Sequence, residues 1–139
     1  MKTLGIDYGE KRIGLAISDE SQTFARELVI LSPKEFWQSL NLLILNNSIS
    51  IIVLGWPLNM SGEETEKTLE VKDFKEKLEK LTEISAGGGS ASGGKVDIKI
   101  TDERLSSQMA EHLPGGKKNV HSLAAQILLQ NYLDKNKNL

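Results

Sequence analysis

The sequence contains no cysteine, which excludes disulfides and thiolate metal sites and gives no reason to expect secretion. It has no run approaching the roughly 18 apolar residues of a membrane span, and no apolar signal segment stands before its first strand pattern. A soluble cytoplasmic protein without membrane contact is therefore expected. An excess of one charge is also missing: 17 Lys and Arg against 19 Asp and Glu leave a formal charge of −2 at pH 7. That balance argues against coating nucleic acid by bulk charge, yet permits a basic patch beside an acidic site.

What is present is globular. The chain has 139 residues, 39% of them hydrophobic and 26% charged, which suits one compact domain over residues 1–139 with a core of its own. It is organised around its opening, from Thr3 to Asp19. Two apolar runs, Leu4 to Ile6 and Ile13 to Ile17, flank a polar Gly-containing segment, the pattern of two antiparallel strands joined by a tight turn. Asp7 closes the first run. A carboxylate ending a buried strand is costly unless it is paired or bound to a cation, although capping the turn is the plainer reading.

Phe24 to Leu31 reads as a third strand. Ser32 then caps a helix from Pro33 to about Asn46, with Phe36, Leu40, Leu43 and Ile44 at helical spacing. Ser50 to Gly55 is a continuous apolar, largely β-branched run, as in a strand buried on both faces, and it empties into a loop from Trp56 to Gly62. The next helix, about Glu63 to Glu83, has Val71, Phe74, Leu78 and Leu81 on one stripe and alternating charges on the other, read as a solvated face. Residues 85–94, SAGGGSASGG, hold five of the twelve glycines and read as a flexible linker or insert with a reach of about 18 Å. Val96 to Ile100 alternates with period two, as in a strand exposed on one side. A short helix from Ser106 to Leu113, a break at Pro114-Gly115-Gly116 and a last helix from Asn119 or Val120 to about Lys135 complete the series.

Three strands followed by alternating helices and strands predict an α/β fold: a mixed five-stranded sheet, three antiparallel strands and then two parallel additions, with helices on both faces. Ligands in such sheets collect at the carboxyl ends of the strands. That puts Asp7, the Gly55 to Gly62 loop and Asp102-Glu103 on one rim. Two carboxylates converging there either share a proton or hold a divalent cation, and oxygen ligands without Cys favour Mg²⁺ or Mn²⁺. For Asp102-Glu103, a helix-start signal is the competing reading.

Four blocks carry a family likeness. Thr3 to Gly9 with Arg12 to Asp19, Val53 to Pro57 with Gly62, Asp102 to Leu105, and Ser122 to Ala125 with Ile127 to Gln130 and Tyr132-Leu133 together resemble the YqgF family, also called RuvX. Its members are described as pre-16S rRNA nucleases or Holliday-junction resolvase-like proteins. The resemblance implies a ribonuclease-H-like fold and metal-dependent phosphodiester hydrolysis, with acidic residues from the first strand, a later strand and the last helix around one or two metal ions. Asp7 corresponds to the first-strand carboxylate and Asp102 with Glu103 to the later pair. At the third position the family usually has Asp, and this chain has His121. Imidazole is a poorer Mg²⁺ ligand than a carboxylate, which relatively favours Mn²⁺. Catalytic roles are thus expected for Asp7, Asp102, Glu103 and His121, and metal ligation for Asp7, Asp102 and His121.

Lys11, Arg12, Arg104, Lys117 and Lys118 ring that site and could neutralise phosphates, while Asn59 and Ser61 could donate hydrogen bonds to them. A plain surface charge is the first reading of each Lys and Arg taken singly, and a structural turn is the competing reading of Asn59 and Ser61. Ser106 and Ser107 have N-capping as their plain reading, Trp56 either stacks on a base or anchors its loop in the core, and Arg26 and His112 suggest no role. The expected partner is nucleic acid: precursor rRNA, in 5′-end processing during ribosome biogenesis, or branched DNA in the resolvase alternative. A resolvase must cut two symmetric strands and so needs a homodimer, whereas the rRNA reading fits a monomer. A non-catalytic RNA-binding protein of the same fold is a further alternative. The actin-like kinases, which share Asp-x-Gly after a strand, need a second domain that 139 residues cannot hold.

Overall fold

In the computed structural model, β1 (Lys2–Tyr8) and β2 (Ile13–Ser18) form the expected antiparallel hairpin, with Leu4 opposite Ile17 and Asp7 opposite Gly14. The structure describes residues 1–57, 61–87, 96–102 and 120–137, and for Asp102, His121 and the end of the second helix it describes the backbone alone. β3 (Ala25–Leu31) pairs antiparallel with β2, β4 (Ile49–Trp56) parallel with β1, and β5 (Asp97–Asp102) parallel with β4. The sheet order is β3-β2-β1-β4-β5, the mixed five-stranded sheet that the order of strand patterns predicts. β5 lies at an edge, which explains why its apolar residues alternate rather than run together.

α1 (Pro33–Asn47) starts where its residues dictate. The Ser32 hydroxyl accepts from Glu35 N–H at 3.2 Å, and the Glu35 carboxylate accepts from Ser32 N–H at 3.0 Å, a reciprocal cap. The helix ends in Ser48, which takes the left-handed conformation at φ 53°.

α2 (Glu66–Gly87) departs from the expected span at both ends. Thr68, fully buried, accepts from Thr65 N–H at 2.9 Å and donates to the Pro57 carbonyl, so the preceding residues are held against the loop instead of coiling from Glu63. At the other end Ser85, Ala86 and Gly87 belong to the helix, which corrects the expected start of the Gly/Ser linker at residue 85. Ser and Ala are adequate helix formers, so the turn propagates until glycines accumulate. Residues 88–94 of that expected linker, the expected short helix at 106–113 and the break at 114–116 lie outside the described residues.

Strand alternation divides the core into two. Leu4, Ile6, Ile13, Leu15, Ile17, Ile52 and Leu54 point to one face, where Phe36 and Leu40 of α1 and Val71, Phe74 and Leu78 of α2 cover them. Tyr8, Phe36, Trp37 and Phe74 form a ring cluster there, with centroids 4.7 to 5.4 Å apart. Ala16 and Val53 point to the opposite face and pack against Ala125, Leu128, Leu129 and Leu133 of α3 (Val120–Lys137). Gly5 shares that face: a β-carbon there would meet Leu129 Cβ at 2.8 Å. Small residues on sheet and helix let α3 lie close, and each large apolar side chain buried this way contributes about 1.5–3 kcal/mol.

Candidate active site

Because β1, β4 and β5 are mutually parallel, their carboxyl ends share one rim. Asp7 ends β1 there, 2% exposed. Period two from Gly5 places it on the α3 face of the sheet. Its neighbour on β2 is Gly14, and on β4 the pairing of Ile6 with Leu54 makes Gly55 the residue alongside it. The carboxylate therefore stands between two strand positions that carry no side chain. One strand further, Gly55 pairs with Thr101 of β5.

The direction of α3 follows from its contacts. Its later residues meet the Thr3 end of the sheet: Gln130 accepts from Ala25 N–H at 2.8 Å and donates to the Thr23 carbonyl at 2.9 Å, and Tyr132 feels the charge of Asp97. Its earlier residue Ala125 lies over Gly5. The helix thus runs against β1, and its first turn, with the backbone of His121, lies toward Asp7.

Lys11 and Arg12 are exposed in the turn that follows Asp7. Ser61 is exposed, its hydroxyl donating to Glu63 Oε1 at 3.4 Å, and Gly62 takes φ 85°, a conformation that favours glycine. The backbone of Asp102 ends β5 opposite Trp56. Trp56 packs against the α1/α2 core, which supports its reading as an anchor. Tyr8 points into the same core, and its phenol is pushed above its usual pKa by burial, then by the negative charges of Glu70, Glu10 and Asp73. It stays protonated at neutral pH. Asn59, Glu103, Arg104, Lys117 and Lys118, like Ser106, Ser107 and His112, lie outside the described residues, and so does any side-chain geometry of Asp102 and His121. Among the described residues no three acidic or histidine side chains form a metal-sized group. Arg26 is exposed on β3, opposite Ile17.

The pairing of Gly14 and Gly55 with Asp7, and the face of Thr101, are not stated by any local sequence pattern read above. The signal was available for Thr101. Counting in twos from Asp97 and Lys99 places it on the face opposite Ile98 and Ile100.

The fold resembles those of two solved proteins of the ribonuclease-H-like class. The Thermus thermophilus RuvC in complex with a Holliday junction superposes with a TM-score of 0.54 at 12% identity, covering 99% of this chain and 96% of that one. The Fowlpox virus resolvase in complex with Holliday junction DNA gives 0.53 at 12% identity, over 98% and 99%. The fold is accordingly ribonuclease-H-like. Residues 1–135 match the RuvX family, described as Holliday junction resolvase. Two relatives carry the provisional name pre-16S rRNA nuclease: one from Sulfurihydrogenibium sp., 38% identical over 96% of this chain and 90% of its own length, and one from Maridesulfovibrio salexigens, 36% identical over 96% and 98%. The chain belongs to the RuvX family, and the family makes it a nuclease.

Proposed function

We propose that this nuclease hydrolyses phosphodiester bonds of precursor 16S rRNA in the cytoplasm, as an endonuclease maturing the 5′ end, and that it depends on Mg²⁺ or Mn²⁺. The observation that carries the chemistry is Asp7: a carboxylate 2% exposed, at the carboxyl-end rim of parallel strands, flanked on its face by Gly14 and Gly55. A buried carboxylate is a hard oxygen donor whose desolvation a divalent cation offsets, so the residues present suit such an ion. The substrate follows from the near full-length likeness to relatives named for pre-16S rRNA.

In this reading Asp7 and His121 hold the cation, and Asp102 and Glu103, at and just past the end of β5, complete the catalytic set. A bound divalent ion would lower the pKa of water and stabilise the charge that develops on the phosphate. Lys11 and Arg12, exposed on the turn after Asp7, attract the phosphates beside the scissile bond, together with Arg104, Lys117 and Lys118. Asn59 and Ser61 position the strand by hydrogen bonds. The orientation of α3 supports His121 as a member, because its turn lies toward Asp7.

The test is cleavage of end-labelled precursor rRNA and of a labelled four-way DNA junction, by the protein and by Asp7→Asn, with Mg²⁺ and with Mn²⁺, alongside gel filtration. The expected result is cleavage of the RNA by a monomer and its loss in Asp7→Asn. Cleavage of the junction alone by a homodimer establishes the resolvase reading that the family description supports. Binding without hydrolysis in either metal establishes a non-catalytic binding protein.

A further inference from the structure

Thr101 occupies a position that nothing in the proposed machinery uses. It is half-buried on β5, paired with Gly55, while Asp7 lies on the other side of the same glycine. Two packing contacts fix the face, and one electrostatic relationship agrees with them. Ile98 of β5 packs with the α1/α2 core, Asp97 lies within electrostatic reach of Tyr132 on α3, and Val53, two residues before Gly55, packs against α3. Alternation then puts Thr101 on the α3 face, with Asp7. Between them Gly55 contributes no side chain.

Two strand spacings of about 4.8 Å separate the backbones of Asp7 and Thr101, so roughly 10 Å lies between them. That is too far for the two side chains to bond each other directly, so a group contacted by both would have to bridge them. We infer that Thr101 is a substrate-positioning residue of the Asp7 site, its hydroxyl donating a hydrogen bond to a non-bridging phosphate oxygen of the nucleic acid bound there. Asp7 would hold the reacting end of that group through the divalent ion of the proposed site, and Thr101 fixes its orientation. A hydroxyl is suited to the second task because it donates without adding charge beside the carboxylate. The inference rests on the reading of Asp7 as the catalytic carboxylate.

The test uses Thr101→Val, which keeps the β-branched shape and removes the donor, and Thr101→Ser, which keeps the donor. Cleavage kinetics on labelled precursor rRNA, melting temperature, and fluorescence anisotropy with a labelled RNA oligonucleotide in an Asp7→Asn background are measured together. The expected result is a KM and a Kd about tenfold higher in Thr101→Val, the size of one hydrogen bond to a charged acceptor, with kcat and melting temperature near the parent and Thr101→Ser near the parent throughout. Equal KM and Kd in Thr101→Val and parent, with Asp7→Asn inactive, overturn the role of Thr101 and leave the nuclease site standing. Full cleavage by Asp7→Asn overturns the site itself and, with it, the inference. Should Val lower the melting temperature, the comparison of Thr101→Ser with Thr101→Ala carries the same decision.

Discussion

Leu129 closes over Gly5 so tightly that a β-carbon on Gly5 would stand 2.8 Å from Leu129 Cβ and 3.3 Å from the Ala125 carbonyl oxygen. The obstructing atoms are backbone and Cβ, which no rotamer change moves. Gly5→Ala is expected to destabilise the protein by about 1–3 kcal/mol, read by urea or thermal unfolding. Leu129→Ala does not rescue it, since the close atom survives the truncation. Rescue by Leu129→Ala would show that the helix had room to adjust.

Thr68 joins two segments through one hydroxyl, accepting from Thr65 N–H and donating to the Pro57 carbonyl beneath the surface. Thr68→Val keeps the shape and leaves both groups without their partner. The expected loss is about 1–3 kcal/mol, measured by denaturant unfolding, with Thr68→Ser close to the parent. Loss of the same size in Thr68→Ser would assign the effect to the methyl group instead.

Asp19 organises the loop between β2 and β3. Its carboxylate accepts from Ser21 Oγ at 2.6 Å, Thr23 N–H at 2.8 Å and Phe24 N–H at 3.1 Å, and these bonds hold its pKa down at about 2 against an ordinary 3.8. The folded state binds this proton less readily than the unfolded one. Its contribution is therefore complete above the unfolded value and lost as pH falls from about 4 through 2. Asp19→Asn is expected to flatten that part of the stability profile, followed by circular dichroism against pH. Full exposure keeps the effect small.

His121 stands in the first turn of α3, where the helix begins on the Asp7 side of Gly5. A carboxylate there is a better partner for Mg²⁺ than imidazole. His121→Asp is expected to retain cleavage and shift its preference from Mn²⁺ toward Mg²⁺, read from initial rates with each ion. A folded His121→Asp with unchanged rates and unchanged ion preference would remove His121 from the ligand set.

Much of the frame was legible because burial writes itself into spacing. Ile51 to Leu54 run apolar because both faces of β4 are covered, and Ser32 and Pro33 mark the start of α1, to which the structure adds Glu35. The start of α2 was not legible. Glu63 and Glu64 resemble a helical first turn, and only the tertiary bond from Thr68 to Pro57 reveals why the coil waits until Glu66. For the site, sequence pointed to Asp7 by its charge, and it passed over Gly14 and Gly55, whose meaning lies in the residue beside them across the sheet. Pairing between strands is a long-range property. No local pattern around Gly55 states that its neighbours are Asp7 and Thr101.

The bonds from Gln126 and Gln130 to Ala25 join segments 101 to 105 residues apart, and Leu129 lies over Gly5 at a still greater separation. A chain emerging from its N-terminus forms the Asp7 hairpin early and receives the roof of that face last. Closing so long a loop is also the slow kind of step. On the proposed role of Asp7, a partly synthesised molecule is an inert one. The Asp7 face is assembled in time as well as in space, and is complete only once the final helix docks.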